Sequence, residues 1–553
     1  MAQSATAFFA WPSGVAARIR DPWPLAASLI SLAVATPILV VISSLASPDT
    51  AIWKHLWATQ LLEIIWNTLR LMVGVGLGVF ALGTGLAWLV TMYRFPGQTT
   101  FQWLLILPLA MPAYVMGFVF RATLDYTGPI QTQLRALFGK HIAFPEIASY
   151  GGITVVMTLV LYPYVYLLAR TAFLEQSAGK LEAARALGAK SWSVFWKVAL
   201  PLARPSVATG VALALMEALA DFGTVALFGY NTFTVAIYRV WFGMFNRNAA
   251  TELASLLLFF TLTLFVLEHI LRGRARFYQT EGTVRRLATQ QLKGWKALGA
   301  TVGVSLVVGV AFVFPTLQLL SWIFQHWRLD SRYVELLLCT LRLGMTTAVL
   351  AVIAAVVVAY GLRLSRSRFV RLCARIANMG YALPGSVIAV GVLGPLAFLD
   401  QTIGGFLEDF LGYSVGLIFT GSMAGLVFAY LVRFLAVSSQ TVEASLVKIT
   451  PSMDMAGRSL GSSTGGVLRR IHLPLIRRGL SAAAILVFVD VMKEMPATLL
   501  LRPFGYDTLA VRVWQFTSES LWEEAAFPAI TIVLAGLLPV ILLMRRPGAV
   551  IPG

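Results

Sequence analysis

Residues 182–201 read EAARALGAKSWSVFWKVALP, and residues 455–474 read MAGRSLGSSTGGVLRRIHLP. Small residues at the second and third positions of each stretch (Ala183 and Ala184; Ala456 and Gly457) precede a glycine, Gly188 or Gly461. After nine intervening residues comes Val198-Ala199-Leu200-Pro201 or Ile471-His472-Leu473-Pro474. Alanine and leucine favour helix, glycine permits a sharp reversal, and proline suits the first turn of the helix that follows. Each stretch therefore predicts two short helices joined at a glycine, a compact knob.

Working outward, the rest of the chain repeats in the same register. Residues 63–71, EIIWNTLRL, match residues 335–343, ELLLCTLRL, at an offset of 272 (335 − 63), and Pro112 matches Pro384 at that offset. Gly188, Pro201 and Trp241 match Gly461, Pro474 and Trp514 at 273 (461 − 188). A nearly constant offset over so long a stretch marks two copies of one unit.

What lies between the matched points is strongly apolar. The 553 residues are 58% hydrophobic and 12% charged, with a mean hydropathy of +0.78. Soluble domains carry roughly a quarter charged residues, so a soluble globular protein is excluded. A bilayer helix needs about 20 apolar residues. Windows of that kind fall at 23–46, 67–93, 101–120, 150–173, 206–228 and 253–271. A second set falls at 297–324, 337–362, 376–397, 414–435, 480–501 and 525–544. The expectation is an all-α membrane protein of about twelve transmembrane helices, arranged as two parallel six-helix repeats. Its units are 1–271 and 297–553, joined by a basic linker at 272–296. Arg18 and Arg20 before the first window resemble a signal peptide, but the apolar run is too long and lacks a small-x-small cleavage site, so a retained helix is expected. An even number of spans gives both copies one orientation, with substrate passing near their interface.

Lysine and arginine set that orientation. The linker carries Arg272, Arg274, Arg276, Arg285, Arg286, Lys293 and Lys296 against Glu281. Segment 363–375 has five arginines and no acid, and Arg545 and Arg546 follow the last window. Segment 399–412 has Asp400, Glu408 and Asp409 without a base. Both termini and the linker are therefore expected in the cytoplasm. The net charge of +18 reads as topology and contact with anionic membrane lipid, not as nucleic-acid binding. Cys339 and Cys373 cannot support a disulfide framework.

The two knob stretches resemble the EAA loop of ATP-binding-cassette importer permeases, E-A-A-x3-G-x9-I-x-L-P. The resemblance implies the type I importer permease fold and a separate cytoplasmic ABC ATPase, in two copies, gripped through the knobs. Its residues here are Glu182, Ala183, Ala184, Gly188 and Pro201 in the first copy, and Asp454, Ala456, Gly457, Gly461 and Pro474 in the second. The second copy departs from the pattern, with Met455 at the glutamate position and Asp454 before it. No G-x-x-x-x-G-K-S/T phosphate loop occurs. The expectation is a transport subunit that binds no cofactor and is no enzyme, with ATP used by its partner. The family also implies a periplasmic substrate-binding protein and a location in the bacterial inner membrane.

For the cargo, residues 220–225 (ADFGTV), 238–243 (YRVWFG), 493–503 (KEMPATLLLRP) and 507–510 (DTLA) resemble the ferric-iron branch of fused permeases. Independently of that likeness, intramembrane acids mark functional sites by default. Glu217 and Asp221 stand four residues apart in the fifth window, Asp490 and Glu494 in the eleventh. That spacing places each pair on one helical face, and carboxylate oxygens suit a hard cation. A substrate path competes with structural ion pairing, for which Arg70, Arg342 and Lys493 are candidates; whether any of the acids holds metal stays open. Tyr230, Tyr238, Tyr506 and Asp507 are expected in loops on the periplasmic side, in contact with the binding protein or as interfacial anchors, and His472 in packing or capping. The same plan could carry thiamine, a polyamine or a phosphonate. Twelve spans with a parallel repeat also describe a proton-coupled secondary transporter, against which the paired knobs speak.

Overall fold

A computed structural model describes residues 22–46, 48, 50–139, 144–176, 184, 186–272, 289–325, 331–365, 367–412 and 416–544. Glu182, Ala183, Arg18, Arg20, Arg274, Arg276, Glu281, Arg285, Arg286, Arg545 and Arg546 lie outside them. A helix satisfies its backbone polar groups within its own segment, which is what a bilayer demands. Among the described residues the one regular element other than helix is a two-residue parallel pairing of Tyr93–Arg94 with Gln290–Gln291.

Nine helices of the described chain are long and apolar enough to cross a membrane: Pro22–Ala46, Leu61–Met92, Tyr150–Glu175, Ser191–Ala220, Arg247–Glu268, Gly294–Gln325, Tyr333–Leu364, Gly385–Phe410 and Met423–Leu446. The pair Gln98–Ala110 and Ala113–Phe138 meets the same measure only when taken together, and is bent by 91° at the break that holds Pro112, the geometry of a broken span or a re-entrant loop. The other two of the twelve expected windows do not meet the same measure. Leu473–Lys493 carries Arg477, Arg478, Asp490 and Lys493 within 21 residues, and the apolar stretch Ala526–Leu542 is short. The window expected at 376–397 shifts to one side of its proline. Arg368–Ala377 is a separate short helix, and the crossing begins at Gly385, after Pro384.

The repeat recurs in three dimensions. Leu61–Met92 and Tyr333–Leu364 are both 32 residues long, and Leu200–Ala220 and Leu473–Lys493 are both 21. Ser149 and Ser422 cap equivalent helices, accepting from the backbone N–H of Gly152 and Gly425. Such caps satisfy a donor that the first turn leaves without a partner.

Packing, however, crosses the boundary between the sequence copies. One hydrophobic core joins Leu71–Phe228 residues of the first copy to Ala297, Val304, Leu319 and Ile323, and to Leu509–Val540 of the second. The other joins Val34, Ile38 and Val41, and the first-copy residues Leu253 and Leu257, to the central helices of the second copy. The opening helix of each copy thus packs on the opposite half. An apolar helix on a single connection can cover either neighbour, and periodicity does not choose between them. Phe118 stacks on Trp322 at 6.1 Å and on Trp522 at 6.5 Å across this exchange.

Candidate functional site

The second knob forms as two short helical pieces around a glycine; of the first, most of the stretch before Gly188 lies outside the described residues, and Ser191–Val194 follows the glycine. In the second, Pro451–Ser459 ends at Leu460, Gly461 reverses the chain, and Thr464–Val467 follows with Ser463 as its cap. Gly188 and Gly461 share a φ of +82°, a left-handed conformation that costs side-chain-bearing residues about 1–2 kcal/mol. Next comes a wide π turn in each copy, Phe195–Ala199 and Leu468–His472, directly before Leu200-Pro201 and Leu473-Pro474. A proline ring inside a helix collides with the carbonyl four residues back. Widening the preceding turn makes room for it, which gives the Leu-Pro ending of the motif a physical reason.

The knobs are anchored differently. In the first, Trp88 near the end of Leu61–Met92 packs on Phe173 at 5.4 Å and on Phe195 at 5.2 Å. Trp192 and Trp196 extend this cluster outward to solvent. In the second, Tyr360 takes the place of Trp88 (360 − 88 = 272) and donates to the carbonyl of Thr464 at 2.9 Å. Arg363 pairs with Asp454 at 3.0 Å and donates to the carbonyls of Leu446 and Ile449. The other Asp454 oxygen meets Nε2 of the fully buried His472 at 2.6 Å. His472 is therefore a packed, hydrogen-bonded residue, as expected. Arg363 is not a free surface charge but an anchor of the knob. The strand pairing of Tyr93–Arg94 with Gln290–Gln291 puts the end of the basic linker on the face that bears the first knob.

The four intramembrane acids converge. Glu217, Asp221, Asp490 and Glu494 line one cavity of about 160 Å³ between the halves, together with Tyr114, Tyr164, Tyr381, Arg433 and Lys493. The expectation of one helical face per pair needs correcting. The helices end at Ala220 and Lys493, and Asp221 and Glu494 follow in extended backbone. Each then caps a short helix beyond the break. Asp221 accepts from the Thr224 hydroxyl at 2.9 Å and from the N–H of Val225 at 3.1 Å. Glu494 accepts from the N–H of Ala497 at 3.0 Å. A carboxylate at a helix start satisfies unpaired N–H groups and complements the helix dipole.

The ion-pair partners also differ from expectation. Arg70 stacks on the ring of Tyr150 at 4.1 Å, whose hydroxyl donates to the Arg70 carbonyl; Arg342 lies beside Tyr506. Neither lines the cavity. Arg433 pairs there with Glu494 at 3.1 Å, Lys493 donates to the Leu109 carbonyl of the opposite half at 3.0 Å, and Tyr381 donates to Glu217 at 3.2 Å. A side chain on Gly385 would run into both Arg433 and Glu494. Sequence reasoning passed over Arg433, although an arginine inside an apolar run is the kind of residue that marks such a site. Tyr164 and Tyr381 gave no signal, since tyrosine is common in spans. Among the described residues no group of three or more His, Cys, Asp or Glu side chains is arranged to hold a metal ion.

Above the cavity, Phe222 packs on Tyr238 at 4.7 Å and on Trp514 at 4.9 Å. Tyr230 donates to the Asn67 carbonyl, and Asp507 pairs with Arg502. Burial pushes the Tyr506 phenol up to about 12, and it donates to the Cys339 carbonyl. These residues are tied into the protein's own packing.

Residues 74–276 match the family described as the binding-protein-dependent transport system inner membrane component. The chain is 27% identical over 526 residues to the Fe(3+)-transport system permease protein FbpB 2 of Haemophilus influenzae, covering 94% of this chain and 96% of that one. It is 32% identical over 176 residues to the molybdenum transport system permease protein ModB of Escherichia coli, covering 32% of this chain and 72% of the relative. The sulfate transport system permease protein CysT of Escherichia coli is 32% identical over 205 residues, covering 36% of this chain and 70% of the relative.

Proposed function

Because the chain belongs to the family of binding-protein-dependent transport system inner membrane components, we propose that it carries ferric iron across the bacterial inner membrane. It is a permease subunit of an importer of the ABC type. In our reading, a periplasmic binding protein delivers iron to the cavity between the halves, and two copies of a separate ATPase grip the knobs at Gly188 and Gly461. The termini, the linker and the knobs face the cytoplasm, and the chain itself binds no cofactor.

The observation that carries the iron reading is the relative named for Fe(3+) transport, which aligns with both copies end to end. The relatives named for molybdenum, molybdate/tungstate and sulfate align with a third to a half of the chain. The cavity supports the same cargo class. Its four acids outnumber its two bases, Arg433 and Lys493, which suits a cation passing through. With Arg433 held by Glu494 and Asp221 serving as a cap, the acids supply a transient path and not a resident metal site.

The test is ATP-dependent uptake into proteoliposomes containing this chain, the cognate ATPase and the cognate binding protein. Ferric iron, thiamine, a polyamine, a phosphonate, sulfate and molybdate are compared. Iron uptake that requires ATP is the expected result. Uptake of another solute in place of iron overturns the cargo and leaves the importer intact. Uptake driven by a proton gradient without the ATPase overturns the coupling scheme.

A further inference from the structure

A second cavity lies away from the path, on the outer side of the first half. It measures about 490 Å³ and runs between the helices Leu61–Met92, Leu200–Ala220 and Arg247–Arg272. Its walls are apolar, with Phe80, Val207, Val211, Leu215 and Leu264 among them. From Leu200 to Leu215 it extends about 22 Å at 1.5 Å per residue, longer than the roughly 15 Å that one leaflet contributes to the hydrocarbon core. Leu267 on its rim is 47% exposed, so the groove opens outward to the bilayer.

One end of the groove is charged. Arg204 lines it one turn from the knob-side start of its helix, and is exposed. Among the described residues Arg204 takes part in no hydrogen bond or ion pair. The acid in the groove, Glu268, sits deeper and is engaged by the Thr209 hydroxyl at 2.7 Å. An apolar trough long enough to span one leaflet, with an unpartnered guanidinium at its interfacial end, matches a molecule with an acyl chain and a phosphate. At the corresponding positions the second copy carries Ile485 and Phe488 where the first has Ala212 and Leu215 (485 − 212 = 273), and Ala484 where the first has Val211.

We propose that this groove holds one phospholipid from the knob-side leaflet, its acyl chain along Leu200–Ala220 and its phosphodiester on Arg204. That helix starts at the first knob and carries Glu217 into the path cavity, so the lipid braces the element joining the two. The ligand is distinct from the general attraction of anionic lipid to the basic helix Arg368–Ala377.

Native mass spectrometry of the purified chain, titrated separately with phosphatidylglycerol and with diacylglycerol, tests the assignment. The expected result is one phosphatidylglycerol retained per chain, in preference to diacylglycerol. Arg204→Ala should weaken phosphatidylglycerol retention about fivefold, the worth of one basic contact at a lipid surface, and abolish the preference. Ala212→Phe should fill the groove and lose both lipids, while Arg371→Ala with Arg375→Ala changes neither. Lipid-free melting of each variant reports folding, and Ala208→Leu replaces Ala212→Phe if the latter does not fold. Retention unchanged by Arg204→Ala and by groove filling overturns the site, as does loss confined to the Arg371 and Arg375 variant. A dimer that groove filling dissociates also overturns it, since the occupant is then a second copy.

Discussion

From the glycine onward the two knobs follow the same backbone course and are held by different glue. Both reverse at a glycine with φ of +82°, and both widen into a π turn before Leu-Pro. The first is held by rings, with Trp88, Phe173 and Phe195 in mutual contact. The second is held by charge and hydrogen bonds, Arg363 to Asp454 to His472. The residue types have exchanged as sets: Trp88 became Tyr360, Phe195 became Leu468, and Ala199 became His472. The requirement shared by the copies is therefore the shape of the loop, and the means of fixing that shape is free to vary.

The strongest way to break the comparison is at the shared element. Gly188→Val together with Gly461→Val forces a β-branched residue into the left-handed region at both reversals. No neighbouring atom lies near either glycine, so the damage is to loop conformation and not to packing. The double variant should insert and express normally while ATP-dependent uptake falls to background. Full uptake would refute the role given to the knobs. Because both glycines have the same φ, the two single variants should be similarly impaired.

Two further substitutions compare the aromatic anchor of the first knob with the buried charge pair of the cavity. Trp88→Ala removes a buried indole from the aromatic cluster, and such truncations cost about 3–5 kcal/mol. Melting of the detergent-solubilised protein should drop accordingly, while the second knob keeps its resistance to proteolysis. At the cavity, Glu494→Gln leaves the buried Arg433 without its counter-charge. Breaking a buried pair in this way also costs about 3–5 kcal/mol, whereas replacing both partners with apolar groups is often neutral. Adding Arg433→Met should restore stability. Failure of that rescue would show that Glu494 matters chiefly as the cap of the helix at Ala497.

How much of this was written in the sequence depends on the range of the interaction. The knobs were legible because spacing, glycine and proline act within about 20 residues and through the backbone. The convergence of Glu217, Asp221, Asp490 and Glu494 was legible because the repeat fixes equivalent positions around an axis. Their partners were not, since Arg433 reaches Glu494 over 61 residues of chain and Lys493 reaches Leu109 over 384. Arg70 and Arg342 were attractive because they are repeat-matched, yet a symmetric sequence feature need not face the axis. The helix breaks at Asp221 and Glu494 were hidden for another reason: the apolar run continues past them into Val225–Leu227 and Ala497–Leu501. Hydropathy sees one span where the backbone turns.

Asp454→Ala tests the polar glue with a smaller effect. It leaves Arg363 with its two carbonyl partners and His472 buried without one. Leaving a buried polar group unsatisfied costs about 1–3 kcal/mol, and the partial exposure of Arg363 (18%) places the result below the Trp88→Ala loss. Asp454→Asn keeps the hydrogen-bonding shape and should recover much of it. If the two variants melt alike, the charge and not the shape fixes the second knob.

The smallest expected effect on stability belongs to Asp221→Asn, the first-copy counterpart of Glu494→Gln. Asp221 faces no arginine at salt-bridge distance among the described residues; its oxygens accept from Thr224 and Val225. Asparagine is nearly as good a cap as aspartate and can keep one of those bonds while losing the charge. The loss should be under about 1 kcal/mol, the net worth of an ordinary hydrogen bond. Asp221→Asn is thus the cleaner probe of the path, because a fall in uptake cannot be traced to unfolding as it can for Glu494→Gln. Uptake per folded transporter and melting temperature are measured on the same preparation. Lost iron uptake with unchanged melting supports a carboxylate working on the passing cation. Unchanged uptake with unchanged melting leaves Asp221 as a helix cap alone, and the path reading must then rest on Glu217 and Asp490, which no cap requires.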